Sequence, residues 1–313
     1  LLSDIQKTII HLDNIRIQKK ITVLELCEGI CGDRQYRKYL SGETNISEKR
    51  LMEFVNKLGI GSRDFYYSLY DKDRYDFEEI KTLYLKLEAK NYDGFDEKLK
   101  ALSKLEGLNS YNQRFLIFIQ TEYSLGKKEI SEAQAIIKFS EISEYPECIN
   151  KNVFDFVDII SLHLIAQLEY KQGKTGSVDL LLRILRDRDI MYLSSDNESI
   201  LPSIYSNVSI ILGRLGRIDE WISLASEGVK FCLKNDYGHS LTRLYYSLSM
   251  ANKQLNKLDK AEYYAALCFA NTITRKNINQ AQQFYKLLKD DFNKDPFQII
   301  IESKDKFLLN KED

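Results

Sequence analysis

Along the first seventy positions apolar residues recur at three- and four-residue spacing, the period of helices buried on one side. Ile5, Ile9, Ile10, Leu12 and Ile15 mark a helix over Ser3–Arg16. Thr22 suits the cap of a second, Val23–Glu28, with Leu24, Leu26 and Cys27 inward. Beyond the tight connection Gly29-Ile30-Cys31-Gly32, Asp33 caps a third, Arg34–Leu40, which stops at Ser41-Gly42. Ser47 caps a fourth, with Leu51, Phe54, Val55 and Leu58 inside. Gly59-Ile60-Gly61 breaks it, and Ser62 opens a fifth containing Phe65, Tyr66 and Leu69.

From Tyr75 onward the pattern is helix after helix, interrupted near Asn91–Gly94, Gly107–Ser110, Gly126, Pro146, Gly173–Gly176, Ser194–Pro202, Gly216 and Asn235–Gly238. Two stretches superpose at an offset of 40: Ser203–Gly228, with its turn at Leu215-Gly216-Arg217, and Arg243–Cys268, with its turn at Leu255-Asn256-Lys257. An offset of 43 adds Ile160–Leu185; Gln113–Gly126 and Leu83–Leu102 give two weaker, earlier hairpins. Self-similarity at such periods predicts helical hairpins that bury one another's faces and curve into a superhelix with a concave groove. The expected fold is therefore all-α: a helix-turn-helix bundle over residues 1–70, then a right-handed superhelix of tetratricopeptide-like hairpins over residues 71–313.

Composition narrows the function. With 313 residues the chain suits two domains or a repeat array, and its three prolines and 14 glycines favour long helices. No apolar run approaches the roughly 20 residues that span a bilayer, and no signal-peptide core opens the sequence, so a cytoplasmic protein without membrane contact is expected. The first residue is Leu1, which leaves room for a lost leader. Five cysteines, odd in number and mostly far apart, suit buried thiols in a reducing compartment better than a disulfide framework. Cys27 and Cys31 lack a second ligand pair at zinc spacing, and His11, His163 and His239 lie far apart. Phosphate-loop, dinucleotide, metalloprotease and nucleophile-elbow motifs are all missing. Neither an enzyme nor a metal or cofactor is expected.

Net charge is −1, but residues 1–70 carry 11 Lys+Arg against 9 Asp+Glu while the remainder carries 34 against 37. DNA binding would rest on local placement of charge. Two short helices joined by a glycine-bearing turn form the helix-turn-helix plan, which sends a slender second helix into the major groove. With Tyr36, Tyr39 and Leu40 toward the bundle, Arg34, Gln35, Arg37 and Lys38 face outward. Arginine bridges guanine and glutamine bridges adenine bidentately, while lysine suits phosphate. The same pattern also serves a solvated helix face.

Repeat phase likewise nominates a groove. If Tyr205, Val208 and Leu212 face the partner helix, Ser206, Asn207, Ile210 and Arg214 face the concave side. The equivalents are Arg243, Tyr246, Met250 and Lys253 in the next unit, and His163, Gln167 and Lys171 in the preceding one. Asn207 is the sharpest candidate, because an amide donates to and accepts from a peptide backbone at once. An idle, exposed asparagine is the plainer alternative.

The run from Leu26 to Glu43, with its closing Ser41-Gly42-Glu43, and the later Leu51, Phe54-Val55 and Leu58-Gly59-Ile60 resemble the DNA-binding segment of Xre-like, Cro/repressor-type proteins. Leu40 departs from the glutamic acid that often precedes the Ser-Gly step there. Such a head joined to tetratricopeptide-like repeats resembles the RRNPP family (Rgg, PlcR, PrgX) of peptide-pheromone receptors. The resemblance implies a homodimer that binds a near-palindromic operator in double-stranded DNA and is switched by a short imported signalling peptide. It implies DNA contacts from Arg34, Gln35, Arg37 and Lys38, with Asp33 at the helix start, and a backbone-gripping role for Asn207. Alternatives are a phage lysis-lysogeny peptide receptor of the same plan, and a repeat scaffold or peptide-regulated protein inhibitor that does not bind DNA.

Overall fold

The hydrophobic spacing of the sequence is realised as helices throughout. The computed structural model describes residues 4–193, 197–275 and 278–304, in which 16 α-helices are joined by short turns. The chain forms two compact units that divide between Lys138 and Phe139.

In the first unit α1 (Asp4–Gln18), α2 (Val23–Cys27), α3 (Asp33–Ser41), α4 (Glu48–Lys57) and the start of α5 (Ser62–Glu88) enclose one core. Leu12, Leu26, Tyr36, Phe54, Val55 and Phe65 are fully buried in it. Thr22 caps α2 in a reciprocal box with Glu25, Ser47 caps α4 by accepting from the Arg50 amide, and Gly42 ends α3 at φ +77°. Three expectations change. Gly32, not Asp33, is the N-cap of α3; Asp33 is the first helical residue, where its carboxylate complements the positive end of the helix. Leu24 is 71% exposed, since it lies 200° around the helix from Leu26 and cannot share its face. Ile5 is also exposed, at the outer end of α1.

α5 is a further departure. It runs for 27 residues without interruption, where a short fifth helix and a fresh start near Tyr75 were expected. Residues 69–76 contain neither glycine nor proline, so nothing stops the helix. The boundary drawn at residue 70 therefore falls inside a helix. α6 (Phe95–Leu102) and α7 (Ser110–Gly126) pack on the C-terminal half of α5 through an aromatic cluster, with Tyr84–Phe115 ring centroids 5.4 Å apart and Phe95–Tyr123 4.2 Å apart. Within this layer the Glu122 Oε2 is buried without a hydrogen-bond partner, and desolvation followed by the nearby Glu88 pushes its carboxyl up to about 8. α8 (Glu132–Ser143) carries the chain from one unit into the other.

The second unit holds α9 (Phe156–Lys171) with α10 (Gly176–Arg186), α11 (Leu201–Arg214) with α12 (Ile218–Lys234), and α13 (Gly238–Gln254) with α14 (Leu258–Thr274). The first helix of each hairpin packs on the first helix of the next: α9 on α11, and α11 on α13. The turns of the three hairpins correspond, with Gly173 at φ +76°, Gly216 at +71° and Asn256 at +57°. Arg217 and Lys257, which precede α12 and α14, adopt nearly the same backbone angles. α15 (Ile278–Phe292) and the short α16 (Pro296–Glu302) form a further unit at the same 40-residue offset. Its sequence signal is a third tyrosine in register, Tyr285 after Tyr205 and Tyr245. Two-residue strands β1 (Phe154–Asp155) and β2 (Met191–Tyr192) pair in parallel around the first hairpin.

Close helix approach is bought locally. A Cβ on Gly228 would lie 2.9 Å from Tyr205 and 3.0 Å from Leu244, so this small residue lets α12 sit against both neighbours. Trp221, which replaces the alanine found 40 residues later as Ala261, fits because a Cβ at Gly213 would come within 2.8 Å of its ring. Gly213 in turn has Lys253 as its counterpart, so the two positions have exchanged size together.

Two predictions follow from this packing. Gly213→Ala should destabilise the protein by about 1–3 kcal/mol, because overpacking against the indole outweighs the roughly 1 kcal/mol helix gain. Trp221→Ala should cost about 3–5 kcal/mol, and the double variant less than the sum in urea denaturation; simple additivity would show the pair uncoupled. The folded Glu122 holds its proton to higher pH than the unfolded chain does, so its contribution is full below about 4.5 and is lost as pH rises through 8. Stability should fall with a slope of up to about 1.4 kcal/mol per pH unit across that window, and Glu122→Gln should flatten it. An unchanged slope in the variant would place the titration elsewhere.

Candidate functional site

α3 is held from below and left open above. The Tyr36 hydroxyl donates to Asp13 Oδ1 at 2.9 Å, and the same carboxylate accepts from Arg16 Nε at 2.6 Å. The Tyr36 ring meets Phe54 edge-on at 5.3 Å, and its phenol is raised by burial and by Asp13. Arg50 donates to the Tyr39 hydroxyl at 3.3 Å, tying α4 to the far turn of α3. These contacts fix the rotation of the helix about its own axis, which decides which side chains project.

Arg34 and Arg37, one turn apart, are exposed. Lys38 is half-buried, with its ammonium 3.9 Å from Glu43, a loose surface pair of small energetic weight that a phosphate could replace. Gln35 is half-buried, and its Nε2 donates to Thr44 Oγ1 at 2.9 Å. That bond leaves the second N–H and Oε1 of the amide, the two groups an adenine edge requires. Asp33 is exposed, and its Oδ1 accepts from the Arg34 amide at 2.8 Å. The five residues therefore share one helix, with two exposed arginines, one guided amide and one loosely paired lysine. Asp13 and Thr44, which position them, gave no sequence signal beyond ordinary polar spacing. The turn before α3 is closed by backbone bonds from Ile30 and Cys31 to the Cys27 carbonyl, and all five cysteines are free thiols. Among the described residues no group of three or more His, Cys, Asp or Glu could hold a metal ion.

The repeat face divides into two parts. On α9 and α11, His163 is buried, with its Nε2 2.9 Å from Gln167 Nε2 and 3.1 Å from Asn207 Nδ2. Three of the nominated residues thus meet at one atom. Burial alone pulls the imidazole down to about 4, so the ring is neutral at physiological pH. Ser206 is 1% exposed, and its hydroxyl has no hydrogen-bond partner. Ile210 is half-buried and Lys171 exposed. Arg214 is exposed, with its guanidinium 5.9 Å above the Tyr170 ring.

On α13 the nominated residues are largely engaged by α15. Tyr246 donates to Asp291 Oδ2 at 2.8 Å and meets Phe284 edge-on at 5.5 Å. Lys253 donates to the Asp291 carbonyl and lies 5.2 Å from the Phe292 ring. Met250 is half-buried, and Arg243 is exposed. Phe284 and Leu288 are buried in this packing. The residue that sequence phase misses here is Asp291, which the α15–α16 unit, in register at Tyr285, brings to α13.

No helix among the described residues is long and apolar enough to cross a membrane. Neither a protein-family model nor a curated protein matches the sequence. Solved structures do match. ComR from S. thermophilus in complex with DNA and its signalling peptide ComS has a TM-score of 0.51 at 14% identity, covering 88% of this chain and 97% of that one. ComR from Streptococcus vestibularis in complex with its cognate signalling peptide XIP has a TM-score of 0.51 at 12% identity, covering 88% and 95%. PlcR from Bacillus thuringiensis in complex with the peptide PapR7 and DNA gives 0.49 at 17% identity, covering 98% and 100%. At such identities the likeness is one of fold, and the chain shares with the ComR structures an all-α architecture running nearly the length of both.

Proposed function

We propose that this chain is a peptide-responsive transcription regulator of the RRNPP type, with residues 1–70 reading DNA and residues 71–313 binding peptide and dimerising. The observation that carries the proposal is the joining, in one chain, of a clamped helix-turn-helix that projects Arg34 and Arg37 to a repeat face with converging amides at Gln167 and Asn207. The fold shared with ComR, which has been solved with both DNA and a signalling peptide, supports the same combination.

In this proposal α3 enters the major groove. Arg34 and Gln35 contact base edges, Arg37 and Lys38 meet phosphate or base, and Asp33 orders the first turn. One small head offers few contacts, so a homodimer on a near-palindromic operator supplies the second half-site. An extended peptide, imported into the cytoplasm, lies along the repeat face, where Asn207 and Gln167 hold its backbone. Arg214 and Arg243 favour an acidic side chain or the C-terminal carboxylate. Peptide binding is worth transmitting only if it shifts an equilibrium between two states of the repeats, which requires different contacts in each.

For the head, duplexes selected from a random-sequence pool by the full-length protein supply the probe. Arg34→Ala and Gln35→Ala should each relax base preference by about 1–3 kcal/mol, while Lys38→Ala should weaken all sequences and lower the salt slope by about 1. Unaltered binding by a folded quadruple alanine variant would remove α3 from the interface. For the repeats, protein purified from its native host should carry a short peptide identifiable by mass spectrometry. Calorimetry with that peptide should show Asn207→Ala binding about 5- to 150-fold more weakly with operator affinity preserved. Equal peptide affinities would exclude Asn207 from the site.

A further inference from the structure

His163 stands out in the second unit as a buried titratable group tied to two helices at once. Its Nε2 lies 2.9 Å from Gln167 Nε2 on its own helix and 3.1 Å from Asn207 Nδ2 on α11. Amide nitrogens donate and do not accept, so with both amides in this orientation the imidazole nitrogen between them is the acceptor and the ring proton sits on Nδ1. Burial holds the ring neutral, as an accepting Nε2 requires.

The consequence is directional. Both amides turn a nitrogen inward to the ring, which leaves each with its oxygen and a second N–H. Because both nitrogens lie within 3.1 Å of one atom, they are no more than about 6 Å apart. Backbone groups on one edge of an extended chain repeat every two residues, at about 6.6 Å. One imidazole thus holds two amides within a single two-residue repeat of each other, close enough to serve neighbouring backbone groups on one edge of the same strand-like ligand.

We propose that His163 is a positioning residue that aims the Gln167 and Asn207 oxygens at two backbone N–H groups, two residues apart, in an extended peptide. The clamp therefore rejects proline or an N-methylated residue at either place. This proposal rests on the peptide-binding reading above and makes it specific: the ligand is selected for two backbone donors as well as for side chains. Asn207 no longer acts alone, and His163 itself makes no peptide contact.

The experiment has two arms, both on the full chain. In the first, nitrogen-15 spectra of histidine-labelled protein, with His163 assigned by its loss in His163→Gln, report the tautomer without any peptide. A neutral ring protonated on Nδ1 down to about pH 5 is expected; a proton on Nε2 would turn the amides around and overturn the proposal. In the second, a synthetic library of random linear heptapeptides is selected on the protein, and retained sequences are remade with single N-methyl groups along the backbone. Wild type should lose about 5- to 150-fold in affinity at two positions two residues apart. His163→Gln, whose Oε1 keeps an acceptor near the place of Nε2, should keep that pattern, whereas His163→Leu should lose the discrimination while retaining its helical circular dichroism. Binders with no such pair of sensitive positions, or a His163→Leu protein that discriminates like wild type, would overturn the clamp and leave peptide binding intact. A library that yields no binder would remove the peptide reading, and the clamp with it.

Discussion

Helices in a stacked array come close only where a side chain gives way, and in the second unit Gly228 is one such place. With no Cβ, it lets α12 rest against Tyr205 of α11 and Leu244 of α13 at distances a methyl group would forbid. α11 and α13 then pack side by side, with α9 against the other flank of α11. That lateral arrangement carries Asn207 to His163, 44 positions earlier in the chain. The polar cluster is thus a product of apolar packing, and loosening the stack would separate its members before any of them was altered.

The first unit depends on a different device. Asp13 is a shared acceptor for Tyr36 and Arg16, so a charged side chain on α1 sets the roll of α3. Apolar contacts alone would tolerate some rotation of a nine-residue helix. A hydrogen bond to a carboxylate does not, since it weakens steeply with misalignment. Orientation of Arg34 and Arg37 is therefore governed from the opposite side of the helix.

Much of this was legible in the residues. Thr22, Ser47 and Gly42 behave as caps because short polar side chains and a left-handed glycine do the same work in any helix. The 40-residue offset was visible because stacking imposes the same turn at Gly216 and Asn256. What escaped was non-local or asymmetric. The last hairpin is shortened to a seven-residue α16, so only its tyrosine signals the register. Lys253 and Tyr246 looked like free groove residues until α15 supplied Asp291 from 45 positions beyond Tyr246. His163 was chosen by phase as a contact, but phase says nothing about depth, and its burial changes its role.

The uninterrupted α5 has a mechanical meaning. At 27 residues it is a strut about 40 Å long, rooted at one end in the helix-turn-helix core and at the other in the aromatic packing with α7. An uninterrupted helix transmits torque without a hinge, so the helix-turn-helix core cannot swivel on its own at residue 70. Its bearing is geared to the α6–α7 layer residue by residue, each one adding about 1.5 Å of reach and 100° of turn. Inserting or deleting a single residue along this shaft would therefore turn its two ends relative to one another without altering the packing at either.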